Sequence, residues 1–136
     1  YPSELGRRFI QTYLPHFHLR QLNLAAHRDN PTAFCHTLSD IQCSLFLVLL
    51  ALNRSYFPTF KWMYPALRRM SHTPPQIAER LHAMFHERPV QATTHLRAVL
   101  AETLDMVETT YANLDTAYAR YGLDQEPQVY HDPRPL

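Results

Sequence analysis

The sequence predicts an all-α fold: an antiparallel up-and-down bundle of about five helices with a polar C-terminal tail. Three observations carry that expectation. Only two glycines occur in 136 residues, and neither interrupts an apolar stretch. Ala and Leu are abundant and β-branched residues are scarce, a balance that favours helix over sheet. Apolar residues recur at helical spacing in segments divided by proline-containing breaks. The length suits one domain that buries about two-thirds of its unfolded surface. The expected division is a helical bundle over 1–121 and an extended or disordered tail over 122–136.

Ser3 is a candidate cap for the first helix, with Glu4 beside its positive end. Leu5, Phe9, Ile10 and Tyr13 form its apolar stripe, and Pro15 kinks or breaks it. A continuation over 16–27 places Leu19, Leu22, Leu24 and Ala26 on apolar positions. Asp29-Asn30-Pro31 marks a boundary, a cap followed by proline at the first helical position. The second long helix, about 31–53, is the most apolar segment and belongs at the centre. Its run from Ile41 to Leu52 is shorter than a bilayer span requires and suits a buried helix.

Tyr56-Phe57-Pro58-Thr59 ends that helix. Thr59 is placed to cap a short helix with Lys61, Trp62, Met63, Leu67 and Met70, and Pro65 falls in its first turns. A fourth helix, about 74–86, buries Ile77, Leu81, Met84 and Phe85. Arg88-Pro89 breaks it. A last long helix, about 90–118, carries Leu96, Val99, Leu100, Leu104, Val107, Tyr111 and Leu114 on one face. From Gly122 onward apolar periodicity stops, which is the compositional mark of an extended end.

The formal net charge is +1 with neutral His, so there is no overall basic bias of the kind nucleic-acid binders show, and no nucleic-acid partner is expected. Cys35 and Cys43 lie in one helix about 12 Å apart along its axis, too far to pair. They read as buried reduced thiols and suggest a cytoplasmic setting with no membrane partner. The chain opens on Tyr1 and not Met, which reads as a fragment of a longer protein.

The chemistry-bearing residues form no complete catalytic constellation. His82 and His86 are spaced one turn apart but lack an HExxH context, so no metal site is expected. No Walker loop, GxGxxG or GxSxG occurs. At helical spacing, Asp40 shares a stripe with Ser44, Leu47, Ala51 and Arg54, with His36 one turn before it. Asp40 is either hydrogen-bonded within a close helix contact or a carboxylate facing a cleft, and it is the one candidate catalytic residue. Arg20 and His27 fit a loose arginine–six-residues–histidine pattern. HEPN-class helical ribonucleases use such a pair across a dimer cleft.

The stretch from Leu45 to Trp62 is the most specific. An unbroken apolar run meets Asn53, Arg54, Tyr56, Phe57, Pro58, Lys61 and Trp62 without a spacer. Arg54 offers a planar fork for phosphate and Lys61 a point charge, and the 56–59 turn is expected to bring them near one spot. Tyr56 and Trp62 offer flat faces for a base or sugar. The structural alternative has Asn53 capping the long helix, Arg54 complementing its dipole and Trp62 anchoring the short helix.

In the order Leu52-Asn53-Arg54, Tyr56-Phe57-Pro58, Lys61-Trp62, and again at Tyr1-Pro2-Ser3-Glu4-Leu5, the chain resembles a domain-of-unknown-function family. That family lies C-terminal to nucleotidyltransferase-fold domains in bacterial, often actinobacterial, proteins. The resemblance implies a helical bundle similar to the C-terminal domain of kanamycin nucleotidyltransferase. It also implies an accessory role, contributing to nucleotide or acceptor binding and not catalytic alone. The partner would be an N-terminal nucleotidyltransferase-fold domain, which would use ATP or another NTP with Mg2+. The chain itself has no glycine-serine motif with paired aspartates, so it carries no cofactor site of its own. The alternatives are a non-enzymatic interaction or homodimerisation module, and the HEPN-like RNA-cleaving bundle.

Overall fold

The computed structural model describes residues 1–125. Among them the fold is all-α, and it has more helices than the five expected. In chain order these are α1 (Ser3–Tyr13), α2 (Arg20–His27), α3 (Pro31–Leu52), α4 (Met63–Arg69), α5 (Ile77–Ala83), α6 (Pro89–Thr110) and α7 (Ala117–Leu123). Short 3-10 turns follow α1, precede α4 and follow α5.

α3 is the centre. From Ser44 to Leu52 every residue except Leu47 is buried. A helix this apolar on nearly all sides has to be enclosed, and α1, α2 and α6 pack against it. Each fully buried Leu contributes about 1.5–3 kcal/mol relative to exposure. By length and composition alone α3 would also suffice to cross a membrane, and here its apolar surface forms the core of the bundle. Asn30 caps it as expected, its side chain accepting a 3.0 Å hydrogen bond from the Ala33 N–H.

α1 runs antiparallel to α3. Gly6, near its start, lies beside Ala51, and His16, just past its end, hydrogen-bonds Ser44 at 2.9 Å. The carboxyl ends of α3 and α6 meet at the amino end of α1, where the Tyr111 hydroxyl also approaches Gly6. Inside the bundle, Gln42 of α3 donates from Nε2 to the Leu81 carbonyl at 2.9 Å, tying α5 to the core.

Several local expectations need correction. Pro2, not Ser3, occupies the cap of α1, and its carbonyl accepts from the Leu5 and Gly6 N–H groups. The expected fourth helix starts later, because Pro74 and Pro75 stay in the loop and Gln76 takes a left-handed conformation before Ile77. Phe85 sits at the surface. The last long helix divides at Tyr111. Asp115 accepts from the Ala117 N–H and starts α7, while the buried Leu114 plugs the turn. Gly122 and Leu123, assigned to the tail, complete α7 and are buried. The rest of that tail, 126–136, lies outside the described residues. Neither cysteine is buried as expected: Cys35 is exposed and Cys43 half-buried, both free thiols.

α7 is held in two ways. Gly122 meets the chain between α1 and α2, its carbonyl accepting from the Leu19 N–H at 3.1 Å. A methyl group at this position would fall 2.6 Å from the Phe17 carbonyl oxygen, a backbone atom with little room to yield. Gly122→Ala should therefore destabilise the fold by about 1–3 kcal/mol, read as a lowered urea midpoint with an unchanged slope.

The second hold is Arg120, which donates to Glu108 through Nε at 3.1 Å and Nη2 at 2.6 Å, and to Asp105 at 2.6 Å. Arg120, with Thr116 second, holds the Glu108 carboxyl below the usual carboxylate range. A depressed carboxylate contributes stability that is complete above its unfolded pKa and lost as pH falls through the folded one. Thermal midpoints should thus fall as pH drops below about 4, and Arg120→Met should flatten that acid limb.

Candidate functional site

The exit of α3 is built by a specific backbone motif. Ser55 N–H donates to the Leu50 carbonyl at 2.9 Å and Arg54 N–H to the Ala51 carbonyl at 3.1 Å. Those two bonds, with Arg54 at φ 53°, form a Schellman ending. Its left-handed position normally takes glycine, because a side chain there costs about 1–2 kcal/mol. Thr59, five residues on, has φ 100°, a region that β-branched residues rarely enter. Two strained non-glycine positions thus flank the aromatic turn. Thr59 makes no side-chain cap bond, so the capping role expected of it is not found.

Asn53 is a structural pin. Its Nδ2 donates to the Leu49 carbonyl and to the His72 carbonyl, both at 2.8 Å, and its Oδ1 accepts from the His72 N–H at 3.0 Å. The amide fastens the loop after α4 to the end of α3, with both of its N–H donors and one Oδ1 lone pair engaged.

Beyond the pin, the chain doubles back along α3. Phe57 and Phe60 pack on each other at 4.9 Å and on the buried Phe46 at 6.3 and 6.2 Å. Their outer edges stay in solvent. Tyr56 is 67% exposed and packs at a tilt against Tyr1, ring centroids 5.0 Å apart. Trp62 is 51% exposed, so the structural alternative in which it anchors the short helix from within is not what is found. The Lys61 ammonium lies 5.7 Å from the Trp62 ring centroid, within cation–π range. Neither Arg54 nor Lys61 makes an ion pair among the described residues.

Because the chain returns along α3, Lys61 is carried to the level of Ser39, Gln42 and Cys43, with which it lines one cleft of about 330 Å3. Arg54 remains at the end of the helix and does not line that cleft. Cys43 and Asn53 are separated by about 15 Å of helix axis. The two cations therefore do not share this cleft, in contrast to the expectation that they meet at one spot. Tyr56 lines a separate small apolar recess with Tyr1, Phe9, Leu47 and Phe57.

Asp40 neither faces a cleft nor is buried in a helix contact. It is 70% exposed and pairs with His36 at 3.3 Å one turn earlier. The small polar residue used in the helix contact is Ser44, bonded to His16. Asp40 still acts at short range: burial, and secondarily its charge, push the Cys43 thiol pKa up. A thiol so placed stays protonated and is a poor nucleophile. Arg20 and His27 occupy opposite ends of α2, both exposed, and His27 Nδ1 meets the Asn23 carbonyl at 2.9 Å. His82 and His86 lie edge to face at 5.1 Å, and no group of three metal-ligating side chains occurs among the described residues.

Comparison of the chain with protein-family models, curated proteins and solved structures gives no match. The reading of the site rests on its geometry. Two features escaped the sequence: the role of the Gln42 amide, which is buried beside the apolar run of α3, and the positive φ of Arg54, for which a glycine would have been the usual signal.

The pinning role of Asn53 is open to measurement. Asn53→Ala removes three hydrogen bonds and should cost about 1–3 kcal/mol, seen in thermal unfolding.

Proposed function

We propose that the chain is a helical accessory domain of a nucleotidyltransferase-like protein, and that the face from Arg54 to Trp62 binds nucleotide or acceptor substrate. One observation carries this reading. Four aromatic side chains, and two cations without carboxylate partners among the described residues, stand in solvent within nine residues, on a turn with backbone strain at Arg54 and Thr59. Strain that a simple glycine would relieve is characteristic of sites retained for function. Lys61 and Arg54 would meet phosphate oxygens, and Tyr56 and Trp62 would supply ring faces. Metal-dependent transfer would belong to a nucleotidyltransferase-fold partner domain holding the NTP and Mg2+, with this face closing over it. The resemblance at Leu52–Trp62 supports the same assignment.

A second reading has a specific observation in its favour. Tyr56, Phe57, Phe60 and Trp62 are exposed apolar groups of the kind that form the centre of protein interfaces. In that case the face docks a protein and recognises no nucleotide.

Two variants separate these readings. Lys61→Ala should weaken Mg2+-ATP binding about tenfold in calorimetric titration, since it removes one charge-assisted contact. Arg54→Gly should raise stability by about 0.5–1 kcal/mol while lowering ATP affinity, because glycine relieves the left-handed strain and removes the guanidinium. Unchanged affinity in both variants would reject the nucleotide reading.

A further inference from the structure

The cleft beside Lys61 contains a group that the face just described does not use. Gln42 is only 2% exposed, yet it lines the cleft between α3 and the start of α4. Its Nε2 is committed, donating to the Leu81 carbonyl at 2.9 Å and lying 3.6 Å from the Met84 sulfur. Its Oε1 accepts nothing among the described residues, and it is not sealed from solvent. The hydrogen bond to Leu81 fixes which way the amide points, so the free end is a fixed acceptor. A nearly buried acceptor held in one orientation in the lining of a cleft is costly to leave unpaired, and it selects for a donor.

The other walls define the rest of the ligand. Phe60, Tyr64 and Phe85 supply aromatic surface, and the exposed Lys61 adds a positive charge to the lining. Asp40 is close enough for its charge to act on Cys43, so an anionic group is favoured toward Lys61. The volume, about 330 Å3, is at the small end for organic ligands and suits a ring system with part of a sugar, not an entire triphosphate.

We infer that this cleft takes a flat heteroaromatic ring bearing an amino donor and carrying an anionic group outward, the adenine of an adenine nucleotide. The amino group donates to Gln42 Oε1, the ring lies against Phe60 and Tyr64, and the phosphates pass Lys61 toward solvent. This assignment rests on the nucleotide reading above, adds the identity of the base and moves its ring surfaces from Tyr56 and Trp62, which do not line this cleft, to Phe60 and Tyr64.

The test compares ATP with ITP, which differ at the purine six-position by an amino donor and an oxo acceptor. With the full chain, ATP should bind at least about tenfold more tightly than ITP, since the oxo group would face Gln42 Oε1 acceptor to acceptor. In Gln42→Met, whose folding circular dichroism checks, the ATP-to-ITP ratio should collapse toward one. Equal affinities in the wild-type chain, with Lys61→Ala weakening both, would overturn base recognition at Gln42 and leave phosphate binding standing. No binding of either nucleotide would overturn both. The wild-type comparison decides the matter even where the Gln42 variant fails to fold.

Discussion

A helix that is apolar around most of its circumference cannot lie at a surface, and α3 imposes that condition on everything around it. Nine residues from Ser44 to Leu52 contain only one that is not buried. Helices α1, α2 and α6 close over them. Polar groups inside this packing have to be satisfied locally. Ser44 therefore finds His16, and Gln42 finds the Leu81 carbonyl. The enclosure also sets the directions of the other helices, since α1 must run back along α3 for Gly6 to reach Ala51. Gly6 and Gly122, the only two glycines, both stand where a methyl group would crowd a neighbour, the Tyr111 hydroxyl at Gly6 and the Phe17 carbonyl at Gly122.

The same helix determines what happens at its end. Burial holds α3 to Leu52, and the Schellman ending at Arg54 then turns the chain sharply. Asn53 fastens this corner to the loop at His72. With the corner fixed, Phe57 and Phe60 reach back to Phe46, and the remaining aromatics and both cations have no core position to occupy. Exposure of Trp62 and Lys61 is thus a consequence of how α3 ends. An arginine in a left-handed position and a threonine at φ 100° show that this corner is not optimised for stability alone.

Helix identity and the central place of α3 were legible in the sequence because they depend on summed hydrophobic pattern. The Asn30-Pro31 start was legible because a cap and a proline act locally. Division of the last helix at Tyr111 was not, since it depends on Thr116, Arg120 and Glu108 meeting in space. Along α3 and at its exit, residues singled out by their spacing have local roles that the spacing did not indicate. Asn53 proved to be a fastener, and Asp40 an exposed partner of His36. Arg54 and Lys61 diverged because the chain returns along the helix axis, which no spacing rule specifies. Gln42 was hidden for a related reason: one amide in an apolar helix acquires meaning only from what its two ends face.

The chain has a single tryptophan, and it stands on the proposed binding face. Acrylamide quenching of Trp62 fluorescence, measured with and without Mg2+-ATP, therefore addresses the claim that the exit of α3 is an open ligand-binding surface. The account predicts red-shifted emission that acrylamide quenches readily, with quencher access falling saturably as ATP is added. Blue-shifted emission sheltered from acrylamide, or access unchanged up to millimolar ATP, would contradict it.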